Sequence, residues 1–201
     1  MESGGLDYAG AYSEIHRNPK RFPGFSIKAY VVVIAELVTQ HHATTLLDFG
    51  CGKARGYFER RYHDAWGGIM PTLYDIGVPK FSTKPTGQFG GVLNTDMLEH
   101  IDEADVPEIL TELVNYVFPG GFLFLGIACR PSRKRLPDGR DVHLTVRPPE
   151  WWIAQIKAAM PKIDHTELGG KTQQIPMVHI VAHFDIAGHF DEPDSVWDSM
   201  A

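Results

Sequence analysis

Cysteine, long apolar runs and excess basic charge are all scarce in this sequence of 201 residues. The two cysteines, Cys51 and Cys129, are too few for the disulfide framework of a secreted domain, so we expect a cytoplasmic protein. No apolar run approaches the roughly 20 residues of a membrane span, and the first residues lack the pattern of a signal peptide. The formal net charge of −6 gives no strong signal for nucleic-acid binding.

The remaining composition is that of an ordinary globular domain. Apolar residues make up 43% of the chain and charged residues 22%, which is typical of a folded protein with a sizeable core. We expect one domain over residues 1–201, with N-terminal helices over 1–43 and an acidic tail over 185–201. No pattern in the chain indicates its oligomeric state or a membrane partner.

The most informative stretch is an apolar run that ends in Asp48 and continues as Gly50-Cys51-Gly52. Glycines permit a tight turn and a close approach of the backbone, and the helix that follows would point its free N–H groups at a nucleotide-type ligand. Asp75 follows the next apolar run. Its two oxygens can accept hydrogen bonds from both hydroxyls of a ribose, although an aspartate there can also cap a loop.

Apolar runs that alternate with helical periods predict an α/β fold with a doubly wound, Rossmann-like sheet. Strands are expected at 44–49, 70–74, 91–95 and 122–128, and again at 162–168 and 176–184. The segment 76–90 is rich in glycine and proline and is too short for both a strand and a helix. We therefore expect a sheet that is trimmed at its third strand, with a loop in that strand's place.

Taken together, several stretches resemble the class I S-adenosylmethionine-dependent methyltransferases. They are Leu47–Gly52, Asp75, Asp96–Ile101 and the Pro119-Gly120-Gly121 turn before an apolar strand. Within that superfamily the chain is most similar to the branch containing the ubiquinone-biosynthesis O-methyltransferases. In this fold the last strands would form an antiparallel end of the sheet. The chain departs from the family pattern at Ala54, which replaces the third glycine of the turn, and at Gly90, which replaces an aspartate.

The resemblance implies S-adenosylmethionine as the cofactor. The residues expected to hold it are Asp48, Gly50, Cys51 and Gly52 at the methionine end, Asp75 at the ribose, and Asp96. Tyr12, His16 and Lys28, on the predicted N-terminal helices, could also reach over the pocket. The alternative is that these are packed aromatic residues and a solvated lysine.

A cluster of acids and histidines follows the central predicted strand. Asp96, Glu99 and His100 share one face if the chain turns helically there, and His143 could approach from the later loop. These four side chains could bind Mg²⁺ or Mn²⁺, and some ubiquinone-type and small-RNA 2′-O-methyltransferases resemble this arrangement. The alternative is that Glu99 and His100 tie the strand end to neighbouring backbone. Without a metal, His143 is the first candidate for a general base and His100 the second.

Residues 129–149 form a predicted basic lid loop. Six of the nineteen cations of the chain lie in it: Arg130, Arg133, Lys134, Arg135, Arg140 and Arg147. In a chain of net negative charge, this concentration favours an anionic acceptor such as a phosphate or carboxylate. A solvated loop is the alternative.

These observations predict an enzyme that transfers a methyl group from S-adenosylmethionine to a small or nucleotide-like, anionic acceptor, with O-methylation favoured. A second hypothesis is a non-catalytic or regulatory subunit that only binds S-adenosylmethionine, because Ala54, Gly90 and the short loop depart from the family pattern. A third is an enzyme that uses the same cofactor for different chemistry.

Overall fold

The computed structural model describes residues 7–159 and, as backbone, residues 177–183. Five α-helices lie in these ranges: α1 (Tyr8–His16), α2 (Val31–Gln40), α3 (Arg55–Arg60), α4 (Val106–Asn115) and α5 (Pro149–Ala159). The five strands are β1 (Leu46–Phe49), β2 (Thr72–Tyr74), β3 (Phe89–Thr95), β4 (Val117–Ala128) and β5 (Met177–His183). The predicted strand at 162–168 and the predicted acidic tail lie outside the described residues.

The strands form one sheet in the order β2-β1-β3-β4-β5, and every neighbouring pair is parallel. The prediction of an antiparallel last strand was therefore wrong. β5 runs alongside β4 from the Phe122–Met177 pair to the Ala128–His183 pair. An apolar run predicts a strand, but its direction is set by the connection that precedes it, and the residue pattern of the strand does not encode that connection.

The segment between β2 and β3 contains a single 3-10 turn, Pro79–Phe81. Within the described range 7–159, no strand lies between Tyr74 and Phe89. The ring of Phe81 is parallel to that of Phe58, with ring centroids 6.3 Å apart, and Phe81 does not line the central cavity. Phe81 thus fastens this loop to helix α3.

Both faces of the sheet are covered, as expected for parallel strands. On one face, Leu47, Val92 and Leu123 pack with the apolar stripe of α4 and with Trp152 of α5. On the other face, Leu46, Leu93 and Phe124 pack with α2 and with the 3-10 segment that precedes it. All four residues of β1 are buried. Among the described helices, none has the length and apolar character needed to cross a bilayer.

Because the strands are parallel, their carboxyl ends meet at one edge of the sheet. The glycine turn follows β1, Asp75 follows β2, Asp96 follows β3 and Cys129 follows β4. Asp96 adopts a left-handed backbone conformation, with φ 51°, and its N–H donates to the carbonyl of Gly126 at 2.9 Å. This edge therefore brings together the predicted site residues after β1, β2 and β3 and the start of the predicted basic loop after β4.

Candidate cofactor and acceptor site

A cavity of about 1450 Å³ opens at the carboxyl edge of the sheet. Most of the residues that the sequence predicts for the site line it, namely Tyr12, Lys28, Gly50, Gly52, Asp75, Asp96, Glu99, His100 and His143. Asp48 and Cys51 do not. A cavity of this size is large enough to hold a cofactor and a second small molecule side by side.

The glycine turn is tied back to β2. Gly50 and Cys51 donate their N–H groups to the carbonyl of Tyr74, at 2.7 and 3.1 Å. Gly52 donates its N–H to Asp75 Oδ2 at 2.8 Å. Ala54 adopts a left-handed conformation, with φ 55°, so it holds the shape that a glycine would provide at the third position of the turn.

The N–H groups at the start of helix α3, which the sequence predicts to be free for a ligand, are hydrogen-bonded within the chain. A segment of the chain that we call the N-terminal strap, residues 8–24, lies across the glycine turn. The carbonyls of Phe22, Pro23 and Gly24 accept hydrogen bonds from the N–H groups of residues 53, 55 and 56, at 3.0–3.2 Å. Gly24 has φ +80°, and a Cβ there would lie 2.6 Å from the carbonyl oxygen of Cys51. Sequence analysis missed this contact because backbone carbonyls have no signature in the residue pattern.

Asp48 lies beneath the glycine turn, facing α3, and is only 3% exposed. One carboxylate oxygen accepts a hydrogen bond from the Tyr57 hydroxyl at 2.8 Å, and the other has no hydrogen-bond partner among the described residues. Burial raises the pKa of Asp48 to about 7, against the opposing effect of the hydrogen bond from Tyr57. In this structure the residue supports the turn from below and is not exposed to a ligand.

Asp75 sits at the rim of the cavity with both oxygens oriented by backbone N–H groups. Gly52 donates to Oδ2 at 2.8 Å, and Gly77 donates to Oδ1 at 2.9 Å. His16 of the strap places its Nε2 3.6 Å from the same Oδ1. Each carboxylate oxygen has a second lone pair, so Asp75 can still accept hydrogen bonds from a ligand.

Glu99 and His100 lie in a 3-10 turn just after β3, and both are buried. Glu99 Oε1 accepts a hydrogen bond from the N–H of Ala128 at 3.2 Å. Glu99 Oε2 and His100 Nδ1 have no hydrogen-bond partner among the described residues. Burial and the negative charge of Asp96 raise the pKa of Glu99 well above its ordinary range. Burial and the neighbouring His143 lower the pKa of His100 to about 3, so the imidazole is neutral at pH 7.

His143 reaches this pair from the loop after β4. Its ring is perpendicular to that of His100, with ring centroids 4.9 Å apart. His143 Nδ1 lies 2.6 Å from the carbonyl oxygen of Arg130. A carbonyl can only accept, so Nδ1 carries the proton and Nε2 keeps its lone pair. Burial lowers the pKa of His143, which keeps the ring neutral at neutral pH.

Glu99, His100 and His143 form one group whose ligand atoms all lie within 4.8 Å of one another. Asp96, the fourth predicted ligand, lines the same cavity but is not part of this group. Tyr12 supports the group from the strap, since its hydroxyl donates to the carbonyl of His100 at 3.2 Å. Tyr12 is therefore a packed residue that touches the predicted catalytic cluster.

The basic loop divides into two sets of cations. Three of them form ion pairs with neighbouring acids: Arg135 with Asp141, Arg140 with Asp138, and Arg147 with Glu103. The other three line the cavity: Arg130, Arg133 and Lys134. Lys134 also places its ammonium group 5.3 Å from the ring centroid of Phe22 in the strap. Three cations of the basic loop thus line the same cavity as the Glu99, His100 and His143 group.

No protein-family model matches the sequence, and no curated protein matches it. Solved structures do match. A 1,6-didemethyltoxoflavin N1-methyltransferase from Burkholderia thailandensis, with bound 1,6-didemethyltoxoflavin and S-adenosylhomocysteine, aligns over 78% of this chain and 80% of its own, with a TM-score of 0.52 and 16% identity. A mitomycin 7-O-methyltransferase aligns over 77% of this chain, with a TM-score of 0.50 and 17% identity. The chain shares the fold of these two methyltransferases.

The match to the O-methyltransferases covers little more than half of those proteins. This chain spans 56% of the mitomycin 7-O-methyltransferase and 53% of an O-methyltransferase family protein from Burkholderia thailandensis. The similarity to the ubiquinone-biosynthesis branch stays a prediction.

Proposed function

We propose that this chain binds S-adenosylmethionine beside Asp75 and transfers its methyl group to a hydroxyl of an anionic, small or nucleotide-like acceptor. The observation that carries the proposal is that Asp75 and the group of Glu99, His100 and His143 open into one cavity. The residue that would bind the ribose and the residues that would activate the acceptor therefore face the same cavity. The class I methyltransferase fold supports the same conclusion, because this fold binds its cofactor at the carboxyl edge of the sheet.

In the proposed reaction the protein has to position the two reactants and accept one proton. The sulfonium methyl is already activated, and it moves by in-line displacement to the acceptor oxygen. A C–O bond forms, the S–CH₃ bond breaks, and its electron pair stays on sulfur to give S-adenosylhomocysteine. The acceptor hydroxyl must lose its proton, and without a bound metal His143 Nε2 can take it, because Nδ1–H is held by the carbonyl of Arg130. The cavity walls contribute by placing the two reactants in line.

A divalent cation held by Glu99, His100 and His143 is part of the proposal. The residues fit such an ion, because a carboxylate oxygen and an imidazole nitrogen in this group are buried without a partner among the described residues. A set of two imidazoles and one carboxylate suits Mn²⁺ better than Mg²⁺, which prefers oxygen ligands. When bound, such an ion supplies Lewis-acid polarisation that lowers the pKa of an acceptor hydroxyl.

The metal proposal has a direct test. The protein is incubated with Mn²⁺ or Mg²⁺, desalted, and analysed for metal content. We expect about one Mn²⁺ per chain, and its loss in the double variant His100→Ala, His143→Ala. If neither ion is retained, the metal is excluded and His143 Nε2 is left as the general base.

Arg130, Arg133 and Lys134 on the cavity wall favour an acceptor that carries a phosphate or carboxylate. We expect methyl transfer to hydroxyl-bearing anions and much less to their neutral analogues. The Arg133→Ala variant should raise KM for an anionic acceptor. Arg140→Ala is the matched control, because Arg140 pairs with Asp138 and does not line the cavity.

Turnover separates an enzyme from a binding subunit. The assay measures S-adenosylhomocysteine formed from S-adenosylmethionine in the presence of a panel of hydroxyl-bearing anions. An enzyme forms it only when a suitable acceptor is present, and the product gains one methyl group. A protein that binds S-adenosylmethionine but yields no S-adenosylhomocysteine with any acceptor would contradict the proposed reaction.

A further inference from the structure

We infer that His16 is a second ribose-binding residue, which donates a hydrogen bond to the same cofactor hydroxyl that donates to Asp75. This inference rests on the proposed function, because it takes S-adenosylmethionine as the ligand beside Asp75. The inference gives helix α1 a role in binding the cofactor, in addition to the roles of the glycine turn and of the residues at the strand ends.

The argument begins with the spacing of two atoms. His16 Nε2 and Asp75 Oδ1 are 3.6 Å apart, which is too long for a direct hydrogen bond but short enough for both to contact one hydroxyl. An oxygen about 2.8 Å from each atom would see them at an angle of roughly 80°, within the range that a hydroxyl can serve as donor to one and acceptor from the other. Both residues line the cavity, so a ligand can reach that position.

The chemistry of the pair matches a hydroxyl. Asp75 is an acceptor on both oxygens, and each oxygen already takes one backbone N–H. The nearby carboxylate favours the tautomer in which His16 carries its proton on Nε2, since the opposite nitrogen has no partner among the described residues. Burial lowers the pKa of His16, so a neutral ring with one donor faces Asp75 at neutral pH. One donor and one acceptor side by side can both hydrogen-bond to a single hydroxyl of a ligand. If the ligand carries a C–H group at that position instead, both the donor and the acceptor lose their partner.

The strap is built to hold His16 in that place. Gly77, two residues after Asp75, lies directly against the helix, and a Cβ there would come within 2.8 Å of the His16 ring and 2.7 Å of Tyr12 Cβ. Tyr8 fastens the start of the same helix, because its hydroxyl donates to Asp105 at 2.7 Å and accepts from the N–H of Asp102 at 2.8 Å. The side chain of His16 is 7% exposed as a result. Its position is therefore set by packing on both sides.

The experiment is calorimetric titration of the full chain with S-adenosylhomocysteine and with its 2′-deoxy and 3′-deoxy analogues. The variants are His16→Phe, which removes the donor, and His16→Gln, which keeps an N–H donor. Glu14→Gln is the control, because Glu14 is exposed on the same helix. Circular dichroism establishes that each variant is folded.

We expect His16→Phe to weaken binding of S-adenosylhomocysteine at least fivefold, and His16→Gln to stay within about threefold of the wild type. One of the two deoxy analogues should bind the wild type and His16→Phe with the same affinity, because the hydroxyl that His16 recognises is missing from it. Glu14→Gln should behave as the wild type with every ligand.

Two results would overturn the inference while leaving the proposed function intact. One is unchanged affinity of His16→Phe for S-adenosylhomocysteine. The other is an equal loss for S-adenosylhomocysteine and both deoxy analogues, since this would mean that His16 only holds the helix in place. Failure of the wild type to bind S-adenosylhomocysteine is a different result, and it would remove the proposed function as well.

Discussion

Replacing Asp48 by asparagine should stabilise the protein above neutral pH and have little effect in acid. The carboxyl of Asp48 is buried beneath the glycine turn and accepts one hydrogen bond, from Tyr57. Asparagine has nearly the same shape and offers the same acceptor to the Tyr57 hydroxyl, but it cannot ionise. The variant therefore isolates the free-energy cost of placing a charge at this position.

The magnitude follows from the pKa of Asp48, which is raised from an ordinary 3.8 to about 7 in the folded protein. Between these two values the folded state binds a proton that the unfolded state has lost, so the free energy of unfolding falls as the pH rises. The loss starts near pH 4 and is complete a little above pH 7. Over the whole window it amounts to roughly 4 kcal/mol, and between pH 5 and pH 8 to about 3 kcal/mol.

The assay is urea unfolding of the wild type and Asp48→Asn at several pH values from 5 to 8. The stability difference between the two proteins should grow by about 3 kcal/mol over that range, with the asparagine variant the more stable at pH 8. Asp64→Asn is the control, because Asp64 is an exposed aspartate that pairs with Arg61. A difference that stays constant with pH would refute the argument, since it would mean that Asp48 is ionised throughout.

The remaining predictions concern the strap and the predicted metal ligands. Gly24→Ala should lower the free energy of unfolding, measured in urea, by about 2 kcal/mol or more, because the new Cβ meets backbone atoms at 2.6 Å. Gly139→Ala is the control, because φ is similar there and nothing lies within 4 Å of the new Cβ. This control should lower the free energy of unfolding by only about 1 kcal/mol. Glu99→Gln should leave the metal-free stability within about 1 kcal/mol at pH 7, since burial raises the pKa of Glu99 and so disfavours the charged carboxylate, but should abolish Mn²⁺ retention. Titration of the wild type with Mn²⁺ should show affinity that rises with pH, because Glu99 must lose its proton to bind; an affinity independent of pH would count against Glu99 as a ligand.

Much of the candidate site could be predicted because parallel sheets place ligands by a simple rule. Apolar runs marked the buried strands, and the residues after each run had to meet at one edge. Gly50, Asp75, Asp96 and Glu99 were found in this way. The short, glycine-rich segment before β3 likewise indicated a connection with no strand in it.

Other features depend on geometry that residue patterns do not carry. Asp48 is predicted to hold the methionine end of the cofactor, and the structure adds that its side chain shares a face with Leu46 and points toward Tyr57, since alternate residues of a strand point to opposite sides. The direction of β5 depends on its connection, and the sequence of the strand is silent on it. The strap contacts the glycine turn through backbone carbonyls, which any residue type can supply. Within the strap, the residue type does matter at Gly24, because its backbone is left-handed.

The most direct test of the central claim is calorimetric titration with S-adenosylmethionine and S-adenosylhomocysteine, carried out on the wild type and on Asp75→Ala. The account predicts binding of both ligands in the micromolar range. It also predicts an affinity at least fivefold lower in Asp75→Ala, which corresponds to about 1 kcal/mol for lost charge-assisted hydrogen bonds. Absence of binding by the wild type, or equal affinity in Asp75→Ala, would contradict the account.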